Sequence, residues 1–194
     1  MPDRYCIKDG YQINEHPRFF DDTPLKDQWQ DEVYRHARDR FEHNNYQSVL
    51  DLGTGSGYKL IKYFGTKHDV VGIDLHPTTR WLNVNYPART WLPFSSDIIV
   101  TGYDLLVCAD VLEHVVDPDI IMTYIRNAGP KLVVLSTPDR DRLPTPNGPP
   151  SNPCHCREWS FAEFQMYVGV YFNIIDHFIS NEAQATQCVV AKLR

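Results

Sequence analysis

Asp51, Gly53, Gly55 and Gly57 occupy alternate positions in Ser48-Val-Leu-Asp-Leu-Gly-Thr-Gly-Ser-Gly57, a spacing that suits a ligand laid against bare backbone. Side chains at the three glycines would hold the ligand away from the turn's amides. A second apolar run, Asp69-Val-Val-Gly-Ile-Asp74, ends in an acid about 20 residues after the glycines, where a carboxylate can accept both hydroxyls of a ribose. Capping of a following helix is the plainer reading of Asp74, but strand, spacing and acid together favour the ribose. Further along, Asp110, Glu113 and His114 follow a third apolar run, and His155, Arg157 and Glu158 lie in a polar stretch after a fourth. Carboxylates and imidazoles of this kind can move a proton or hold a divalent ion.

The elements that must position these residues follow from hydrophobic periodicity. Apolar runs predict strands near 48–52, 69–74, 104–109, 131–136, 172–179 and 187–193, with a short one near 89–93. Helical spacing joins Trp29, Val33, Ala37 and Phe41, then Ile120, Ile121, Tyr124 and Ile125, then Phe161, Phe164, Val168, Tyr171 and Phe172. Strands alternating with helices imply an open parallel sheet, whose ligands bind at the carboxyl edge beside the switch in strand order. The polar break Asn181-Glu-Ala-Gln184 predicts an antiparallel hairpin at the end. Residues 143–153 hold five prolines and form a long loop. After it, Ser160 and Glu163 stand at capping-box spacing and start a helix.

The dinucleotide fingerprint G-x-G-x-x-G would need glycine at position 58, which is Tyr58. The pattern present is D-x-G-x-G-x-G, and it resembles the first motif of the class I S-adenosylmethionine-dependent methyltransferases. The stretch from Tyr103 to Pro118, with Leu112-Glu-His114 at its centre, resembles that family's F/Y-D-x-V-x-x-x-x-V-L-E-H-V-x-D-P pattern. Asn152-Pro-Cys-His-Cys-Arg-Glu-Trp-Ser160 is similar to the N-P-x-H-x-R-E-W-S loop of small members, and the residues from Phe19 to Tyr34 to their N-terminal lead-in.

The resemblance implies an α/β, Rossmann-like fold with a seven-stranded, mostly parallel, doubly wound sheet and a C-terminal antiparallel hairpin. It implies one domain over 1–194, with an N-terminal helical cap at 1–45 and the core at 46–194. S-adenosylmethionine would lie against Asp51, Gly53, Gly55, Gly57, Asp74, Leu75, Ala109 and Asp110. Catalytic roles fall to His155, His114 and Glu113, with His155 favoured as the base, and Arg157 and Glu158 would face the acceptor. Trp29 or Gln30 would stand near the cofactor. Many relatives have an acid before Leu-Pro-Phe; here Ala88-Arg-Thr-Trp-Leu-Pro-Phe94 leaves the adenine to backbone amides, Thr90 or stacking by Trp91. The favoured site contains no metal; in an alternative, Asp110, Glu113 and His155 hold a divalent ion that orients vicinal hydroxyls.

The 194 residues are 42% apolar, ordinary for a single globular core. A net charge of -6 argues against a nucleic-acid partner, which would favour a basic face. Neither a spanning apolar run nor a secretory leader is visible, so a cytoplasmic chain without membrane contact is expected. The five cysteines are odd in number and read as reduced thiols, and Cys154-His-Cys156 lacks the second ligand pair a structural zinc needs. The function expected is O-methylation of a small molecule, a saccharide or glycosylated metabolite. N- or C-methylation, or an idle methyltransferase-fold subunit serving a partner, are the alternatives.

Overall fold

A computed structural model describes residues 4–26, 28–65 and 68–194. Among them, seven strands form one sheet: β1 (Ser48–Leu52), β2 (Asp69–Asp74), β3 (Thr90–Pro93), β4 (Leu105–Ala109), β5 (Leu132–Pro138), β6 (Phe172–Asn181) and β7 (Thr186–Leu193). The order is β3-β2-β1-β4-β5-β7-β6. Strands β1 to β5 run parallel, and β7 enters antiparallel between β5 and β6. The expected doubly wound sheet with a terminal hairpin is therefore the fold. Strand order reverses between β1 and β4, so the carboxyl ends of these two strands open the crevice in which such sheets bind ligands.

Period-two alternation splits the core between the two faces of the sheet. Leu50, Leu52, Leu106 and Cys108 point to the side covered by α4 (Pro118–Ala128) and α5 (Phe161–Tyr171). Val49, Leu105, Val107 and Val134 point to the opposite side, against α1 (Asp31–His43), α2 (Tyr58–Phe64) and α3 (His76–Asn85). Asp51 shares the parity of Val49 and so faces α1. The Ser160 and Glu163 capping box forms as expected and starts α5.

Three local expectations are corrected. The 1–45 segment contains a single helix among its described residues, α1, and residues 4–26 and 28–30 are irregular chain. Trp29 lies before that helix and is 48% exposed, because Gln30 takes a left-handed conformation and α1 begins only at Asp31. Tyr34 takes the place on the buried face that the periodicity assigned to Trp29. Ile120, on the solvent side of α4, is likewise exposed.

Candidate active site

A cavity of about 470 Å³ opens at the carboxyl ends of β1, β2 and β4. Of the residues expected at the cofactor, Gly53, Asp74, Leu75, Ala109 and Asp110 line it. Asp74 accepts from the Gly55 and Leu75 amides at 2.8 and 2.7 Å, so its carboxylate is aimed along the glycine turn. Gly57 serves packing: at φ 68 it caps α2, and a Cβ there would meet Trp91 at 2.7 Å and Leu82 at 2.9 Å. Trp91 is buried against this glycine and Gly72 and donates to the Tyr86 carbonyl, so it stacks on the turn from behind. Phe94 lines the cavity, and Thr90 is exposed.

Asp51 does not reach the cavity. It is completely buried, and it accepts the Tyr34 hydroxyl at 3.0 and 2.9 Å and the Thr54 hydroxyl at 2.8 Å. Burial pushes its carboxyl up to about 7, against those two donors and the nearby Lys59 charge. The acids that do line the cavity are Asp22, Asp74 and Asp110. Three carboxylates around one small space complement a ligand carrying positive charge, such as a sulfonium and an ammonium, and oppose the pyrophosphate of a dinucleotide.

The glutamate and histidines after β4 and β5 come together. Asp110 has φ 52; its amide donates to the Ser136 carbonyl at 3.1 Å, and its carboxylate accepts the Ser136 hydroxyl at 2.5 Å. Gln30, also left-handed at φ 61, donates to the same carboxylate. Two non-glycine residues held in this sparsely populated region at one site are strained by about 1–2 kcal/mol each. The chain then turns through Leu112–His114, where the Glu113 carbonyl accepts from the Cys156 amide at 2.6 Å. That bond draws the loop after β5 onto the loop after β4.

As a result the rings of His114 and His155 meet edge to face, with centroids 4.8 Å apart. Ligand atoms of Glu113, His114 and His155 all lie within 4.8 Å of one another. Glu113 is fully buried; Thr137 donates to its Oε2 at 3.2 Å, and its Oε1 has no partner in the protein. Burial, with Asp110 adding negative charge, holds this carboxyl well above the usual range. The Cys154 carbonyl accepts from Nδ1 of His114 at 2.9 Å, which leaves Nε2 as the ring's acceptor. Burial, reinforced by His155, lowers His114 to about 4, so its ring is neutral at pH 7.

His155 lies behind His114 and is 8% exposed. Its Nδ1 is 2.7 Å from Oε1 of buried Glu158, and its Nε2 is 2.9 Å from the Asn152 amide. A carboxylate can only accept, so Nδ1 carries the proton and Nε2 the lone pair. Two expected acceptor contacts are thereby corrected. Glu158 orients His155 from below, and Arg157 donates to the Val115 and Val116 carbonyls at 3.0 and 2.9 Å while stacking over Tyr5. Both are buried because these bonds fasten the loop to the core. Sequence reasoning missed Asp22, Phe20 and Asn152. Phe20 stacks on His114 with centroids 5.5 Å apart, and neither acid nor aromatic in an irregular strap leaves a periodic signal.

Residues 25–173 match the family model described as a methyltransferase domain. A mouse small RNA 2'-O-methyltransferase is 27% identical over an alignment of 161 residues that covers 69% of this chain and 40% of the mouse protein. The chain thus spans well under half of that relative's length. Among solved structures, the magnesium protoporphyrin IX methyltransferase of Synechocystis PCC 6803 with bound SAH superposes with a TM-score of 0.65 at 14% identity, covering 85% of this chain and 84% of that one. The methyltransferase domain of a bacterial protein, CtHen1-C, gives 0.64 at 18% identity, covering 84% of this chain and 98% of that one.

Proposed function

The chain belongs to the methyltransferase domain family, and we propose that it uses S-adenosylmethionine to methylate a sugar hydroxyl that has a second hydroxyl beside it. The observation that carries this reading is the cluster of Glu113, His114 and His155, two imidazoles and an unpartnered carboxylate oxygen converging beside the cofactor cavity. Two imidazole nitrogens and a carboxylate oxygen can hold a divalent transition-metal ion, and Glu158 behind His155 is the outer carboxylate such sites use to fix a ring. A bound ion would be held by Glu113, by His114 and, once its Nε2 gives up the Asn152 amide, by His155, with Asp110 adjacent, and would supply Lewis acidity to a hydroxyl together with an anchor for its neighbour.

The chain's own groups do the remaining work. Asp74 and the glycine turn would hold the cofactor's nucleoside, and Ala109 and Asp110, which line the same cavity, would face the rest of it. Transfer is an in-line displacement, and alignment of oxygen, carbon and sulfur supplies much of the rate. As the oxygen–carbon bond forms and the carbon–sulfur bond breaks to leave a thioether, the hydroxyl's proton would pass to Oε1 of Glu113, while Thr137 holds Oε2 in place. His114, neutral at pH 7, presents Nε2 as an acceptor and a ligand; a value near 4 makes it a weak base.

Similarity to the mouse small RNA 2'-O-methyltransferase favours a second, narrower reading, in which the sugar is a ribose of an RNA. A terminal ribose with free 2' and 3' hydroxyls is itself a vicinal diol, so both readings use the same cluster. The test is transfer from labelled S-adenosylmethionine to methyl glycosides, RNA with a 2',3'-diol end, RNA with a 3'-phosphate end, phenols and amines, with Mn²⁺ or with a chelator. We expect methylation of diol-bearing sugars only, lost about 100-fold with the chelator or in His114→Ala. Equal transfer to phenols or amines in the chelator would overturn the reading.

A further inference from the structure

We propose that Asp22, carried on the irregular strap before α1, is the carboxylate that receives the α-ammonium group of S-adenosylmethionine. The residue that the glycine motif offers for this task, Asp51, is withdrawn: it lies on the α1 side of the sheet, is closed off by the Tyr34 and Thr54 hydroxyls, and does not line the cavity. Asp22 is the acid that occupies the glycine side instead. Its Oδ2 would lie 1.7 Å from a Cβ built on Gly55, so the carboxylate is pressed against the one residue of the turn whose amide already holds Asp74. With Asp74 at the ribose end and Asp110 at the methyl end, Asp22 completes the acidic lining of the cavity.

The strap is fixed where it must be for this role. The Leu25 amide donates to the Asp22 carbonyl at 2.8 Å, Asp21 caps Thr23 at 3.1 Å, and the Arg18 amide donates to the Pro153 carbonyl at 2.9 Å. Between these anchors Phe20 lies on His114. Burial and the neighbouring Asp74 charge push the Asp22 carboxyl up to about 6, with Lys59 opposing. A carboxylate desolvated beside another carboxylate gains most from a cation placed between them. Cofactor binding therefore ties the strap down, and the strap in turn sets Phe20 over the acceptor side.

The experiment is calorimetric titration of the purified chain and of Asp22→Asn with S-adenosylmethionine, S-adenosylhomocysteine and 5'-methylthioadenosine, which keeps the nucleoside but lacks the amino-acid end. Asp22→Asn should weaken the first two ligands about tenfold and alike, since both carry the ammonium, and leave 5'-methylthioadenosine within about twofold, which also shows that the variant is folded. Unchanged binding of S-adenosylmethionine would overturn the proposal. So would an equal loss of all three ligands, which is the mark of a merely structural strap. None of these outcomes depends on the acceptor, so this inference and the sugar reading fail separately.

Discussion

At the scale of single residues, the site is built from buried acids whose charges are balanced in different ways. Asp51 is balanced by two hydroxyls and the nearby Lys59 charge, and its titration should be visible in stability. Its value of about 7 lies above the usual 3.8, so the folded chain retains a proton there that the unfolded chain gives up. The stability this contributes is complete below about pH 4 and is lost as pH rises through 7, about 4 kcal/mol in all. Asp51→Asn keeps the acceptor for Tyr34 and Thr54 and removes the ionisation. Denaturant unfolding of both proteins should show the wild type losing about 2–3 kcal/mol more than the variant between pH 5 and pH 8. Parallel profiles would mean that Asp51 ionises freely in the fold. The same contrast explains which site residues were legible. Asp74 ends β2, and Glu113, His114 and His155 lie in the loops that follow β4 and β5, positions that the apolar runs before them mark in the sequence. The inward bonds of Arg157 and Glu158 were not legible, because an exposed polar loop and a buried, fully bonded one have the same composition.

At the scale of elements, the glycine turn is one motif with two separate duties. Gly57 belongs to packing, since a Cβ there meets Trp91 and Leu82 inside a filled core. Gly129, which follows α4, has nearly the same φ of 70 and open space where its Cβ would be. Gly129→Ala should therefore cost only the left-handed penalty, about 1 kcal/mol, whereas Gly57→Ala adds overpacking and should cost about 2–4 kcal/mol. In thermal unfolding we expect Gly57→Ala to lower Tm by about 5–10 °C and Gly129→Ala by no more than about 4 °C. Equal shifts would assign the whole cost to backbone conformation. Strand limits agreed with the periodicity to within two residues in the parallel part of the sheet, because fully buried strands are continuous apolar runs bounded by polar residues. Helix α1 was harder to place. Its apolar period extends back to Trp29, but the left-handed turn at Gln30 breaks the helix at a point that no proline or glycine marks.

At the scale of the whole molecule, charge bears on the choice between a free saccharide and an RNA end. The chain has 19 basic against 25 acidic side chains. Many of the basic groups are already engaged: Arg35 with Glu32, Arg38 with Glu42, Arg40 with Asp176, Lys62 with Asp31, Lys131 with Asp104 and Arg142 with Asp139. A strand of RNA held by this chain would then be gripped at its terminal sugar, with Arg18 at the cavity mouth available to one or two phosphates. Each phosphate contact on a single strand contributes about -0.7 to the slope of log affinity against log salt. Two contacts predict a slope of about -1.4, so KM for an RNA acceptor should rise no more than about sevenfold between 50 and 200 mM salt, and KM for a methyl glycoside should not change. A rise of 100-fold or more would require about five phosphates held along a basic track, which these ion pairs oppose. The salt series thus reads how far along an RNA this fold reaches, whichever sugar the Glu113, His114 and His155 cluster accepts.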